Sequence, residues 1–155
     1  MHVNKIISGG QTGVDRAALD VARALKIDRG GWCPQGRLAE DGRIPDDYPL
    51  HETASAQYTE RTERNVLDSD GTLILTIGAP TGGTAYTIAC ARRHAKPYRV
   101  VDLTQSTDAG AVREWLRRHA IAVLNVAGPR LSESPEGYAL ASHLLMRVLG
   151  ETAML

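Results

Sequence analysis

The chain has 155 residues, of which 43% are hydrophobic, and its 18 basic and 18 acidic side chains leave no net charge. We expect one domain over residues 1–155, because this length buries a full core without disulfide or metal staples. The balanced charge argues against broad binding to DNA or RNA, and no apolar stretch reaches the roughly 20 residues that cross a membrane.

The N-terminal residues and the two cysteines bear on the compartment. The sequence enters an apolar run directly after Lys5, without the pattern of a signal peptide. Cys33 and Cys90 form neither a CxxC pair nor a zinc-binding spacing, and the five histidines are scattered. We therefore expect a cytoplasmic protein with reduced thiols, no metal-ligand set and no membrane contact.

Short apolar runs alternate with helical patterns along the chain, as in parallel α/β sheets. Strands are predicted at residues 5–8, 31–33, 72–77, 98–102 and 121–126. Helices are predicted at about 13–26, 57–68, from 83 to before Pro97, around 112–116, and from 134–135 to 149, where Gly150 ends the last one. The pattern predicts a Rossmann-like three-layer α/β sandwich, with a mostly parallel central sheet and helices on both faces.

Residues 34–56 fit no regular element and contain several proline and glycine turn signals. Long loops inside compact domains are usually functional or disordered. Because this segment follows the second predicted strand, its root lies on the same rim as the other strand-to-helix turns. Arg37 and Glu40 are therefore candidates for residues of a lid over a ligand.

A first glycine-rich turn joins the first strand to the first helix. Its candidate ligand-binding residues are Gly9, Gly10, Gln11, Thr12, Gly13 and Arg16. Glycines let the backbone turn sharply, free N–H groups at a helix start hold a phosphate, and an arginine adds a cation. The motif is neither GxGxxG nor a P-loop. The alternative is a tight turn with Thr12 as the helix cap and Asp15 closing a capping box.

A second glycine-rich turn follows the third predicted strand and opens the third helix. Its candidate residues are Gly78, Thr81, Gly82, Gly83 and Thr84. Two such turns on neighbouring parallel strands face each other across the crevice where strand order reverses, which is the usual ligand position in open α/β sheets. Together they predict a site for a phosphate-bearing small molecule.

Polar side chains of two further segments are expected at the same rim. Tyr58, Arg61, Thr62 and Asn65 share one face of the second helix, and Asn125 and Arg130 follow the last strand. Arg61 and Asn65, with Asn125 and Arg130, are candidate ligand-binding residues. The alternatives are a solvated helix with Arg61 paired to Asp68 or Glu63, a turn capped by Asn125, and an exposed Arg130.

Several motifs together resemble those of the molybdenum cofactor carrier proteins, and the resemblance runs over nearly the whole chain. They are Gly9–Asp15 (GGQTGVD), Trp32-Cys33-Pro34, Gly36-Arg37, Ala39–Gly42 (AEDG), Arg61-Thr62 with Asn65, Asp68–Gly71 (DSDG), and Asn125–Arg130 (NVAGPR). That family belongs to a wider Rossmann-like nucleotide-binding group, which includes the lysine decarboxylase-like "Lonely guy" phosphoribohydrolases.

The resemblance implies a ligand and partners. The ligand would be molybdenum cofactor, a phosphorylated pterin dithiolene that carries molybdenum, with its phosphate held by the glycine-rich turns. The resemblance also suggests a homo-oligomer, and molybdoenzymes or proteins of cofactor synthesis as partners.

Comparison with the phosphoribohydrolases concerns catalysis. In those enzymes an arginine, a Ser-Asp pair and a turn of the form GGxGTxxE recur, and Arg61, Ser69-Asp70 and Gly83-Thr84 match. Thr87 stands where the glutamate belongs, and cleavage of an N-glycosidic bond needs a carboxylate. The sequence therefore favours a carrier that binds and protects molybdenum cofactor, with no catalytic residue. The alternatives are a nucleoside 5′-monophosphate phosphoribohydrolase, with an acid such as Glu40 or Asp41 supplied by the loop, and a nucleotide-sensing module.

Overall fold

A computed structural model describes the backbone of residues 2–154 and the side chains of residues 2–150. The strands are β1 (Lys5–Ile7), β2 (Asp28–Gly30), β3 (Trp32–Cys33), β4 (Leu38–Ala39), β5 (Gly42–Arg43), β6 (His51–Glu52), β7 (Gly71–Thr76), β8 (Tyr98–Asp102) and β9 (Val123–Ala127). The helices are α1 (Val14–Ala24), α2 (Tyr58–Leu67), α3 (Gly82–Arg93), α4 (Ala109–Arg118) and α5 (Gly137–Met154).

Five strands form a central sheet in the order β2-β1-β9-β7-β8, and every neighbouring pair is parallel. All six residues of β7 are buried, as expected for an apolar strand that is covered on both faces. Helices α1, α4 and α5 pack together on one face, and α2 and α3 pack together on the other. The predicted Rossmann-like α/β fold is confirmed. None of the described helices is long and apolar enough to cross a membrane.

The predicted second strand, at residues 31–33, is wrong in its position and partner. The strand of the central sheet is β2, which ends at Gly30, whereas β3 pairs with β6 in a separate two-stranded sheet. Gly31 separates them with a φ of 126°, and a Cβ atom there would lie 2.4 Å from the carbonyl oxygen of Ser8. The chain therefore leaves the sheet at a position that only glycine allows.

The last helix also differs from its prediction. Helix α5 begins at Gly137, so Ser134 and Pro135 lie in the turn before it, where the Gly137 N–H donates to the Ser134 carbonyl at 2.9 Å. Gly150 does not end this helix, which continues to Met154. A glycine inside a helix costs only about 1 kcal/mol relative to alanine, so Gly150 alone does not stop it.

The segment 34–56 is ordered around one buried arginine. The Arg37 guanidinium donates to four backbone carbonyls, those of Ile44 (3.1 Å), Pro45 (2.7 Å), Tyr48 (2.8 Å) and Leu50 (3.2 Å). The planar guanidinium suits this task because its five N–H donors point in fixed directions. Strands β4 and β5 form a short antiparallel hairpin within the segment.

The β4–β5 hairpin is fastened to the first glycine-rich turn by two carboxylates. The Thr12 hydroxyl and the Ser132 N–H both donate to Glu40, the latter at 3.1 Å. Asp41 accepts two hydrogen bonds from the Arg16 guanidinium, at 2.6 and 2.9 Å. The hairpin is thus bonded to both α1 and the loop after β9.

Candidate functional site

A cleft of about 230 Å³ opens at the carboxyl ends of the central strands. The starts of α1, α2 and α3 and the loop after β9 supply its walls. The lining residues are Gln11, Asp15, Tyr58, Arg61, Thr62, Gly82, Gly83, Thr84, Thr87, Ala127, Gly128, Pro129, Arg130 and Glu133. The connections of β1 and β7 leave in opposite directions here, so this is a switch point of the sheet.

The two glycine-rich turns are not on neighbouring strands, contrary to the prediction. Strand β9 lies between β1 and β7 and pairs with both. The loop that follows β9 therefore separates the two turns and contributes its own residues, Gly128 to Arg130, to the cleft. Strand order cannot be read from chain order, because the last strand inserts into the middle of the sheet.

The turn before α3 offers open hydrogen-bond donors to the cleft. Thr81 precedes the helix in extended conformation, and the Thr84 N–H donates to its carbonyl at 3.1 Å. Within the described part of the chain, the N–H groups of Gly82 and Gly83 donate to no protein acceptor, and both glycines line the cleft. Free N–H groups at the start of a helix of this length favour an anion.

Several donors of the turn before α1 are, by contrast, already used. The Gln11 N–H donates to the Asp15 carboxylate at 3.2 Å, and the Thr12 N–H donates to the Gln11 side-chain oxygen at 3.0 Å. The Val14 N–H points at the carbonyl of Pro129 at 3.4 Å. The alternative interpretation, a capping box with Thr12 as the cap, is nevertheless wrong, because Gly13 precedes α1 without a side-chain cap and the Thr12 hydroxyl donates to Glu40. The Asp15 carboxylate takes a donor that the sequence assigned to a ligand.

The glycines of this first turn make room for protein rather than for a ligand at two positions. A Cβ atom on Gly10 would lie 2.4 Å from Cδ1 of Leu50, and one on Gly13 would lie 2.6 Å from the carbonyl oxygen of Pro129. Both glycines also have a positive φ, 76° and 82°. They let the segment 34–56 and the loop after β9 pack against the start of α1.

Arg61 lies at the floor of the cleft beside a buried acid. Its Nη1 is 3.5 Å from Oδ2 of Asp15, and its Nε is buried with no hydrogen-bond partner among the described residues. Burial raises the pKa of Asp15 to about 6, although the positive charge of Arg61 and the N–H groups of Gln11 and Gly9 act to lower it. An unsatisfied donor on a buried cation is costly unless a ligand takes it.

A small recess continues the cleft below Arg61 and is lined by amide side chains. Asn65 accepts from the Trp32 N–H at 2.8 Å and donates to its carbonyl at 3.0 Å, and Asn125 donates to the Thr72 hydroxyl at 3.2 Å. Thr87 also lines it, with its hydroxyl donating to the Gly83 carbonyl at 3.0 Å. These amides hold the surrounding backbone and side chains in place.

The mouth of the cleft is formed by Tyr58, Arg130 and Glu133. Tyr58 is 44% exposed, and its ring lies 3.6 Å from where a Cβ atom of Gly83 would stand. The Arg130 Nε is 2.9 Å from the Glu133 carboxylate and 3.7 Å from that of Glu40. The mouth thus has an exposed aromatic ring on one side and a paired cation on the other.

The structure brings together part of the predicted set. Residues that line the cleft or its recess are Gly9, Gln11, Arg61, Asn65, Gly82, Gly83, Thr84, Asn125 and Arg130. Those outside both are Gly10, Thr12, Gly13, Arg16, Arg37, Gly78 and Thr81. Arg16 is bound to Asp41, and the Gly78 N–H donates to the Asp102 carboxylate at 3.1 Å.

Several lining residues were not among the sequence candidates. From the sequence, Asp15 is only a possible cap, and Gly128, Pro129 and Glu133 have no predicted role. The sequence signal for the first three was their place in the GGQTGVD and NVAGPR motifs. Glu133 had no signal, because it reaches the cleft through the turn before α5. No group of three or more metal-binding side chains lies together within the described residues.

Comparisons with known proteins agree with this architecture. The model of the circularly permutated YpsA SLOG family matches residues 6–149. A crystal structure from Syntrophus aciditrophicus SB, of a protein named "putative molybdenum carrier protein", superposes with a TM-score of 0.93. Its sequence is 49% identical, and the alignment covers 95% of each chain. No curated protein matches the chain.

Proposed function

The chain belongs to the circularly permutated YpsA SLOG family, and we propose that it binds, protects and carries molybdenum cofactor without catalysis. The name of the Syntrophus protein supports a carrier role, and the extent of the match makes a shared cleft the natural expectation. Molybdenum cofactor is here a cargo, whose phosphate and ring the cleft must recognise.

One observation carries the proposal. Gly82, Gly83 and Arg61 line the same cleft. Among the described residues, the N–H groups of the two glycines are free, and the buried Nε of Arg61 has no hydrogen-bond partner. Donors at a helix start together with an arginine suit a phosphate group, since charge-assisted hydrogen bonds are the strong ones. Tyr58 at the mouth offers an aromatic face to a flat ring such as a pterin.

The test is a binding titration. Molybdenum cofactor is released anaerobically from a molybdoenzyme and titrated with the protein. The change in fluorescence during the titration reports binding. We expect saturable binding that weakens by roughly tenfold or more in Arg61→Ala, because one charge-assisted hydrogen bond contributes about 1.5–3 kcal/mol. Arg43→Ala, which removes an exposed arginine outside the cleft, should bind as the wild type does. Equal affinity in wild type and Arg61→Ala would overturn the site.

A second function, hydrolysis of a nucleoside 5′-monophosphate, is favoured by one observation. Thr87 lacks the carboxylate that this reaction needs, but Asp15 brings a carboxyl group to the cleft floor next to Arg61. Incubation with a panel of nucleoside monophosphates, followed by chromatography of free base, distinguishes the two functions. Base release that is proportional to protein and lost in Asp15→Asn would establish the hydrolase, whereas a carrier releases none.

A further inference from the structure

Asp15 has an unusual place for a carboxylate in a site that we propose for an anion. Its side chain is only 4% exposed and lines both the cleft and the recess. Apart from the N–H groups of its own turn, Arg61 of α2 compensates its charge most strongly, and Arg16 contributes less. An ionised Asp15 makes this pair neutral overall, so an anion that approaches Arg61 also meets a negative charge.

The other charged groups around the cleft do not relieve this conflict. Arg16, next to Asp15 in α1, is turned to Asp41 at 2.6 Å. Helix α3 supplies only Thr84, Thr87 and the two glycines to the lining. After β9, Arg130 is paired with Glu133 at the mouth. Protonation of Asp15 is therefore the simplest way for the cleft floor to become positive.

We propose that Asp15 is a positioning and specificity-determining residue that acts through Arg61, so that the phosphate of the ligand binds there only as Asp15 takes up one proton. This inference rests on the proposed function of the cleft. It makes uptake and release of the cargo dependent on pH. The proton is taken from solvent on binding and returned on release, so no further reactant is required.

The pH dependence has a distinctive shape because two groups titrate in the same range. A phosphate monoester loses its second proton near pH 6, which strengthens binding to a cation as pH rises. Asp15, whose pKa is raised to about 6 by burial, loses its proton over the same range, which weakens binding. Wild-type affinity should therefore pass through a maximum near pH 6, whereas a neutral residue at position 15 should give a plateau above it.

The experiment measures the affinity for molybdenum cofactor from pH 5 to 8 in wild type and Asp15→Asn. A pH-indicator dye in weakly buffered solution reports protons taken up on binding. At pH 7 we expect Asp15→Asn to bind roughly tenfold more tightly than wild type. The pKa of Asp15 is about 6, one unit below this pH, so most wild-type molecules must first take up a proton. Wild type should take up nearly one proton per ligand at this pH, and the variant none.

Asp41→Asn is the matched control, because it removes the same charge from an acid that pairs with Arg16 outside the cleft. It should keep the wild-type maximum and the wild-type proton uptake. If Asp15→Asn does not fold, proton uptake by the wild type still decides. Binding with no proton uptake and a plateau above pH 6 in the wild type would overturn the role of Asp15 alone. Absence of cofactor binding at every pH would overturn the proposed function and this inference with it.

Discussion

A Cβ atom on Gly9 would lie 2.0 Å from Nη1 of Arg61, so the lack of a side chain at Gly9 is what admits the guanidinium. Gly9 does not have a positive φ, so alanine is conformationally allowed there. In Gly9→Ala the guanidinium must move away from Asp15, because the added methyl group takes its place. We expect affinity for molybdenum cofactor to fall about tenfold, with a smaller effect on folding. Titration and urea unfolding of the same preparation measure both.

The neighbouring glycine predicts the opposite result. Gly10 lies outside the cleft with a φ of 76°, and a Cβ atom there would lie 2.4 Å from Cδ1 of Leu50. Gly10→Ala should lower the free energy of unfolding by about 1–3 kcal/mol, the usual cost of overpacking, while affinity per folded molecule is kept. If Gly10→Ala weakened binding and Gly9→Ala did not, Gly10 rather than Gly9 would face the ligand.

We expect the removal of the Arg37 side chain to cause a large loss of stability. Its guanidinium is buried and satisfies four backbone carbonyls of the segment 34–56. Arg37→Ala should lower the free energy of unfolding by about 3 kcal/mol or more, because it leaves these acceptors without their donor. Arg37→Lys should restore only part of the lost stability, since an ammonium group cannot donate in four fixed directions. Urea denaturation gives the stabilities, and limited proteolysis should show earlier cleavage within the segment.

Arg43→Ala is the control for Arg37, since Arg43 is exposed and pairs with Asp46 at 2.6 Å. A surface pair of this kind contributes roughly 0–1 kcal/mol. Equal losses in Arg37→Ala and Arg43→Ala would contradict the organising role of the buried guanidinium.

Asp15 also predicts how stability depends on pH. Because the pKa of Asp15 is raised from 3.8 to about 6, the unfolded chain releases this proton at lower pH than the folded protein. The contribution of Asp15 to the free energy of unfolding is therefore fully present below about pH 4 and is lost as pH rises to 6. Relative to Asp15→Asn, the wild type should lose about 2–3 kcal/mol between these limits, which is two pKa units converted. Denaturation at several pH values measures the difference, and a constant difference would contradict the raised pKa.

The sequence was sufficient for features that depend on local pattern. The buried run of β7 predicts a central strand, and the helix breaker Pro97 correctly marks the end of α3. Both signals are local, since burial of apolar residues and the missing N–H of proline act within a few residues. The place of Gly82 and Gly83 between a strand and a helix likewise predicts a ligand-binding turn, and both glycines line the cleft.

Features that depend on distant contacts could not be predicted. Thr12 and Glu40 are 28 residues apart, and nothing in either motif shows that a hydroxyl and a carboxylate meet. The burial of Arg37 requires the carbonyls of a loop whose path is not encoded by a periodic pattern. The insertion of β9 between β1 and β7 depends on the packing of the whole sheet. Because of these contacts, Thr12 and Arg37 lie outside the cleft, although the sequence predicts them as ligand-binding residues.

We propose above all that the cleft holds molybdenum cofactor. The most direct measurement is the molybdenum and pterin content of the protein after anaerobic purification from a host that makes the cofactor. We predict equimolar molybdenum and pterin in the wild type, little of either in Arg61→Ala, and none in protein from a host that cannot make the cofactor. Wild-type protein that contains neither molybdenum nor pterin, and takes up neither from added cofactor, would contradict the claim.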